Sequence, residues 1–256
     1  MPIKSEHSSL VEDNSTMLND LYTFDNYVVG NFNHIAYTIA KHVSENLGII
    51  YSPVFIYGPI GIGKTHLIHA IGNSARSQGR VVIYTTIEQF TNDFSYHLRN
   101  QIMDRFRNKY RTCDVLLIDD IQDLMNKLQT QTEIIHTFSA LHAAGKQIVL
   151  TSDMPPKMLN SLEDRLRSRC IEGFISDIGT PELKDKIAMI KKKCDIFQFS
   201  LGDDIITDIA SNIGDDIREI ESFAINLNVL KNLIHQTDMI DIIQRILKNF
   251  LNQPAK

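Results

Sequence analysis

The residues with the clearest capacity for chemistry are Gly58-Pro59-Ile60-Gly61-Ile62-Gly63-Lys64-Thr65. The glycines let a backbone wind tightly and turn its N–H groups inward, which makes a nest for anionic oxygens. A helix opening at Lys64 adds its positive dipole end to the same place. Lys64 can then reach β- and γ-phosphates, and the Thr65 hydroxyl can ligate magnesium. This is the P-loop, or Walker A, pattern. Its context fits, because the apolar run 53–57 reads as a strand and 64–75 as a helix. ATP or ADP with Mg2+ is the expected ligand.

A phosphate site needs a second contact to the metal. Val115-Leu116-Leu117-Ile118-Asp119-Asp120 supplies one in the Walker B form, four apolar residues ending in two acids. Asp119 is expected in the magnesium shell, and Asp120 is expected to orient or deprotonate the attacking water. Without the P-loop, an ordinary strand followed by a polar turn would be the stronger reading. A further strand, Ile148-Val149-Leu150-Thr151-Ser152-Asp153, also ends in polar residues. In a parallel sheet that end lies beside the phosphates, so Ser152 or Asp153 can position water or metal, unless they only cap the strand. Arg165 and Arg169 share a helix face. An arginine can stabilise charge developing on a γ-phosphate, often from a second subunit. On the local sequence alone, a solvated charged face explains that pair better. Arg218, within Asp215-Asp216-Ile217-Arg218-Glu219-Ile220-Glu221, reads locally as a helix-surface residue.

The elements that must hold these residues alternate strand and helix. Residues 33–46 read as helix, 80–84 as strand, 115–118 as a buried strand, 130–144 as helix, 147–150 as strand and 172–176 as a fifth strand. Phe90, Phe94, Leu98, Ile102, Phe106 and Tyr110 recur every fourth residue, so 88–110 reads mostly as one amphipathic helix. Such alternation implies an α/β fold with a parallel sheet covered on both faces. Beyond residue 178 only helices are expected. One opens at Thr180-Pro181, an N-cap followed by an N1 proline, and runs to about residue 194. Another starts near Asp216, and a last one follows Thr237 with Ile240, Ile243, Leu247 and Phe250 on one side. The expected domains are a disordered tail over 1–21, a sheet domain over 22–178, a small helical domain over 179–251 and a tail over 252–256.

Composition narrows the class. The chain has 256 residues and is 43% apolar, enough for one large domain and an appendage. Its net charge of −5 argues against a wholesale electrostatic grip on nucleic acid, though a local basic strip is compatible with it. Cys113, Cys170 and Cys194 form no CxxC pair, which suits reduced thiols rather than zinc. His66 and His69 share a helix face, with no cysteine or carboxylate beside them to complete a metal site. No apolar run approaches the roughly 18 residues of a membrane helix, and no signal pattern opens the chain. A soluble cytoplasmic protein is the expectation.

Taken together, these residues resemble the AAA+ module of the bacterial DnaA replication initiators. The resemblance rests on Tyr22-Thr23-Phe24-Asp25-Asn26-Tyr27-Val28-Val29-Gly30, on the P-loop with His66, and on Phe106-Arg107-Asn108-Lys109-Tyr110-Arg111. It continues through Leu117-Ile118-Asp119-Asp120-Ile121-Gln122, His136-Thr137-Phe138, Ser152-Asp153, the stretch Leu162-Glu163-Asp164-Arg165-Leu166-Arg167-Ser168-Arg169, and Ile217-Arg218-Glu219-Ile220-Glu221. It covers about 22–230 and implies a P-loop AAA+ sheet sandwiched by helices, then an all-helical lid. It further implies that Val28, Val29 and Gly30 pack near the adenine and that His66 belongs with the nucleotide-binding residues. Asp153 takes the sensor 1 position and Arg218 the sensor 2 position, touching the γ-phosphate. Arg169 is the finger reaching ATP on a neighbouring subunit, with Arg165 nearby. The stretch 88–111 matches the initiator-specific insertion, whose Arg99, Arg105, Arg107, Lys109 and Arg111 would face single-stranded DNA. The alternative is that this helix packs by its aromatic side and leaves its basic side in water.

The family's partners follow as implications: self-association into an ATP-dependent filament, single-stranded origin DNA, a replicative helicase or regulatory proteins, and acidic phospholipid. Duplex origin boxes are read through a helix-turn-helix domain that this sequence, ending at Lys256, does not contain. Asp123 stands where the family usually has an apolar residue, and Gln129 where a basic one is common near the DNA channel. The sequence is expected to be either a piece of a longer initiator or a short natural homologue, and the linker-like residues 1–20 favour the piece. A competing reading is an Hda-like regulator of initiator hydrolysis, or a helicase loader. A P-loop metabolic kinase is a third, but it leaves Arg169 and the lid unexplained.

Overall fold

The computed structural model describes residues 18–48, 51–198 and 200–231. In chain order they form α1 (His34–Glu45), β1 (Val54–Tyr57), α2 (Lys64–Ser77), β2 (Val82–Thr86), α3 (Ile87–Arg99), α4 (Met103–Arg111), β3 (Val115–Asp119), α5 (Leu128–Ala143), β4 (Gln147–Ser152), α6 (Asp164–Ile171) and β5 (Phe174–Asp177). Three helices follow: α7 (Leu183–Ile196), α8 (Asp203–Asn212) and α9 (Ile217–Lys231).

The strands form one parallel sheet in the order β2-β3-β4-β1-β5. β3 and β4 are buried along their whole length, as expected of strands covered on both faces. Because side chains alternate across a strand, the two faces separate cleanly. Phe55, Leu116, Ile118, Ile148 and Leu150 point to one side, where Phe90, Phe106, Tyr110, Phe138 and Leu166 of α3–α6 complete the main core. Leu117 points to the other side, against α2, where an added Cβ at Gly72 would meet its Cδ1. Cys113 and Cys170 are buried in the main core, and burial pushes both thiols up to about 12.

The stretch 88–110 is not one helix. It breaks at Asn100–Ile102, with Gln101 at φ 58°, into α3 and α4. Thr86 and Gln89 open α3 with a reciprocal capping box. The fourfold repeat survives the break because both helices turn the same face to the core, where the Phe90 ring lies 5.1 Å from Phe106 and 4.7 Å from Tyr110.

Residues 18–20, which sequence places in the tail, are docked on α2. Leu18 is buried, the Asn19 N–H donates to His69 Nδ1 at 3.0 Å, and Arg76 pairs with Asp20. Polarity hides this from the sequence, because the docking uses backbone and side-chain hydrogen bonds around a single leucine.

Two compact units result. The first comprises the sheet and the helices that flank it. The second gathers α7–α9 with two segments that come early in the chain, 25–34 and 59–63, so the helical unit does not start only at 179. Its core is Met189, Ile190, Ile206, Ile209, Phe223 and Leu227, with Val28 and Phe32 packed on it. Thr180-Pro181 does not open α7. Glu182 caps it, in a capping box with Asp185, and the helix starts at Leu183. α8 is an element the sequence pattern did not reveal. The helix expected after Thr237 lies outside the described residues.

Candidate nucleotide site

Strand register explains why the chemical residues of the sheet unit meet. Asp119 is two residues beyond Leu117, so it points to the α2 face, and α2 presents Thr65 in its first turn. The Thr65 hydroxyl donates to Asp119 Oδ2 at 2.8 Å. Tyr84 pairs with Leu117 across the β2–β3 register, and its hydroxyl reaches the same Oδ2 at 3.1 Å. Thr151 donates to Oδ1 from β4. Asp119 is therefore a buried carboxylate, 3% exposed, surrounded by three hydroxyl donors. Burial, opposed by those hydrogen bonds, holds its carboxyl above the usual range.

Around it the loops are tied down. Lys64 is buried and donates to the Gly58 carbonyl at 2.7 Å, closing the P-loop on itself. The Gly58 N–H donates to the Ser152 carbonyl at 3.2 Å, so β4 sets where the loop begins. Gly61 and Gly63 adopt φ of 78° and 93°, conformations that tolerate glycine best. Asp120 has φ 60°, a left-handed conformation that Asp tolerates better than most residues. Its N–H donates to Thr151 Oγ1 at 3.0 Å, and its Oδ1 accepts from Gln122 Nε2 at 3.0 Å. Gln122 Oε1 in turn accepts the Asp153 N–H at 3.3 Å. Gln122 thus links Asp120 to Asp153, two of the residues picked from sequence, with Ser152, as water-positioning candidates.

A magnesium ion fits this set. Among the described residues no group of three or more His, Cys, Asp or Glu side chains could hold a metal alone. One buried carboxylate and a hydroxyl, both hard oxygen donors, suit an ion that takes its remaining ligands from phosphates and water.

Other residues picked from sequence fall elsewhere. His66 Nε2 donates to the Thr23 carbonyl at 2.9 Å and its ring stacks on Tyr22, so it anchors the entering chain. Within the helical unit, Val28 is half-buried in the core and Val29 is exposed. Tyr27 packs on Gly63, 3.3 Å from where a Cβ would stand. Arg169 pairs with Glu172 at 2.7 Å and Arg165 is exposed, both on α6, which leads into the edge strand β5. Arg218 pairs with Asp216 at 2.5 Å. The five basic residues of 99–111 divide in two. Arg99, Arg105 and Arg107 are exposed, whereas Lys109 bonds Asp93 at 2.8 Å and Arg111 bonds the buried Glu133 at 2.5 Å. Sequence reasoning passed over Tyr84, Gln122 and Thr151. The order of the strands would have revealed Thr151, which stands between the P-loop strand and the acid-ended strand.

A five-stranded parallel sheet with a P-loop after β1 and an acid pair at the end of β3, followed in the chain by the helices α7–α9, defines a P-loop protein of the AAA+ class. Residues 18–177 match the family model for the bacterial DnaA ATPase domain, and the chain belongs to that family. It is 50% identical over 243 residues to the chromosomal replication initiator protein DnaA of Campylobacter curvus, covering 95% of this chain and 56% of that protein. The chain spans about half the length of the curated relatives it matches. Domain III of the Thermotoga maritima replication initiation protein DnaA superposes with a TM-score of 0.85 at 37% identity, covering 93% of this chain and 100% of that one. A replication initiator DnaA bound to AMPPCP and single-stranded DNA gives a TM-score of 0.80 at 36% identity, covering 91% and 70% of the two chains. No helix among the described residues is long and apolar enough to cross a membrane.

Proposed function

We propose that the chain binds ATP and ADP at its P-loop, hydrolyses ATP slowly, and uses the nucleotide as a switch for self-association on single-stranded origin DNA. The observation that carries this reading is the Thr65–Asp119 hydrogen bond, which brings the two metal-facing oxygens together at the mouth of the P-loop helix. Lys64 neutralises phosphate charge, and the loop N–H groups orient the phosphates. Thr65 and Asp119 would hold Mg2+, which would supply charge screening at the terminal phosphate. Asp120 orients the attacking water, itself positioned by Gln122, and Asp153 takes the sensor 1 role beside it. Arg218 meets the γ-phosphate. Arg169, on the surface of α6, completes the site of a neighbouring copy. Arg99, Arg105 and Arg107 are the residues of the basic stretch left for DNA. Helicase, regulatory and phospholipid contacts enter this proposal by family resemblance alone.

The test is to size the chain with ADP, with a non-hydrolysable ATP analogue, and with the analogue plus single-stranded DNA. The analogue is expected to produce oligomers that DNA lengthens, and Arg169→Ala to prevent them while nucleotide still binds. An unchanged size in every condition would rule out the assembly switch. A Lys64→Ala variant that kept its nucleotide affinity would rule out the P-loop reading itself.

A further inference from the structure

Asp216 stands immediately before α9 and does two things at once. Its Oδ1 accepts the Arg218 N–H at 2.9 Å, and its carbonyl accepts the Glu219 N–H at 2.9 Å, as an N-cap does. The same carboxylate also holds the Arg218 side chain: Nε lies 2.9 Å from Oδ1 and 3.1 Å from Oδ2, and Nη2 lies 2.5 Å from Oδ2. This is the two-pronged geometry in which guanidinium grips carboxylate or phosphate.

The place where this happens matters. The Ile217 N–H donates to the Gly61 carbonyl of the P-loop at 2.8 Å. A Cβ added at Gly61 would overlap the Asp216 carboxylate, so the acid lies directly on the loop backbone. The neighbouring acids have other partners: Asp215 bonds Lys186, Glu219 accepts the Gly214 N–H, and Glu221 bonds Lys193.

We propose that Asp216 is a latch on Arg218: its carboxylate competes with a terminal phosphate for the arginine fork at the P-loop. Asp216 is then a positioning residue that sets how strongly ATP is preferred over ADP. This rests on the reading of 59–65 as the nucleotide loop and of Arg218 as the γ-phosphate contact. ADP has no phosphate to offer Arg218 and leaves the latch closed, whereas ATP opens it. The pair is solvent-accessible, with Arg218 63% exposed, so the latch is weak enough for a phosphate to break.

The experiment is titration of the full chain with fluorescent ATP and ADP analogues in Mg2+. Asp216→Asn keeps a capping side chain but loses the charge. It is expected to tighten ATP binding roughly two- to fivefold and to change ADP binding less, raising the ATP:ADP preference. Asp216→Ser, also a capping residue, should do the same and serves if the first variant folds poorly. Arg218→Ala should lower the preference, and Asp216→Asn added to it should restore nothing. If Arg218→Ala lowers the preference and neither Asp216 variant raises it, the latch is wrong while the γ-phosphate role stands. A preference unmoved by Arg218→Ala overturns that role and the latch together. Absence of binding by the unaltered chain removes the nucleotide reading beneath both.

Discussion

The Thr65 hydroxyl reaches the Asp119 carboxylate across 2.8 Å, joining residues 54 positions apart in the chain. One hydrogen bond thereby links the first turn of the P-loop helix to the end of the acid-ended strand β3. It also joins a network that includes Tyr84 and Thr151.

The first prediction concerns the charge in that network. Burial makes the folded Asp119 carboxyl keep its proton to higher pH than an ordinary carboxyl, so its contribution to stability falls as pH rises above the usual carboxylate range. At neutral pH the buried charge is a cost. Asp119→Asn is therefore expected to leave the melting temperature without nucleotide unchanged or slightly higher. The extra stabilisation by ATP that depends on Mg2+ should disappear. Thermal melts with ATP, with and without Mg2+, check both halves.

A second prediction separates the inward-turned arginine from the exposed ones. Arg111→Ala leaves Glu133 buried without its cation and is expected to cost about 3 kcal/mol in urea unfolding. Arg105→Ala and Arg107→Ala remove exposed side chains and should each change stability by less than about 0.5 kcal/mol. Under the proposed function the latter two weaken single-stranded DNA binding and flatten its salt dependence.

Acid should release the segment ahead of α2. His69 is 4% exposed; burial, and then the charge of His66, lowers its pKa from 6.5 to about 4. Its Nδ1 accepts the Asn19 N–H, so the neutral ring is the form that docks this segment, between Tyr22 and Tyr84 and beside His66. The unfolded chain binds the proton first. The stabilisation is thus complete above pH 6.5 and lost as pH falls toward 4, at about 1.4 kcal/mol per pH unit. Urea midpoints at about pH 7.5 and pH 5 should differ less in His69→Asn, which keeps an acceptor but cannot take up the proton.

A chain beginning at Tyr22 lacks Leu18 and its hydrogen-bonded neighbours. It is expected to be less stable by about 2 kcal/mol, with a melting temperature lower by roughly 4–8 °C. Leu18→Ala in the whole chain should account for most of that loss. Calorimetry of the two against the unaltered protein distinguishes a docked segment from a passive tail.

Residues 58–65 were legible in sequence because everything the P-loop needs is local: glycines at positive φ, a lysine, a hydroxyl residue and a helix to follow. The runs ending in Asp119 and in Asp153 were legible as strands for the same reason, as four-residue apolar stretches whose polar ends had to surface. The break at Gln101 was not legible, since α3 and α4 keep a common apolar face and periodicity carries no sign of a kink. Nor was α7's start, where the Glu182–Asp185 box outweighed a Thr-Pro pair with good local credentials.

The sequence by itself determined the P-loop, the acid pair, the alternation that makes a parallel sheet, and the family to which the chain belongs. Tertiary structure alone decided that β4 lies between β1 and β3 and brings Thr151 to Asp119. It also decided that Lys109 and Arg111 turn inward to carboxylates and that Asp216 lies on Gly61 beneath Arg218. The physical reason is that local composition fixes backbone conformation and which face is apolar. Which charge meets which, across tens of residues, depends on strand order and on the space each turn leaves.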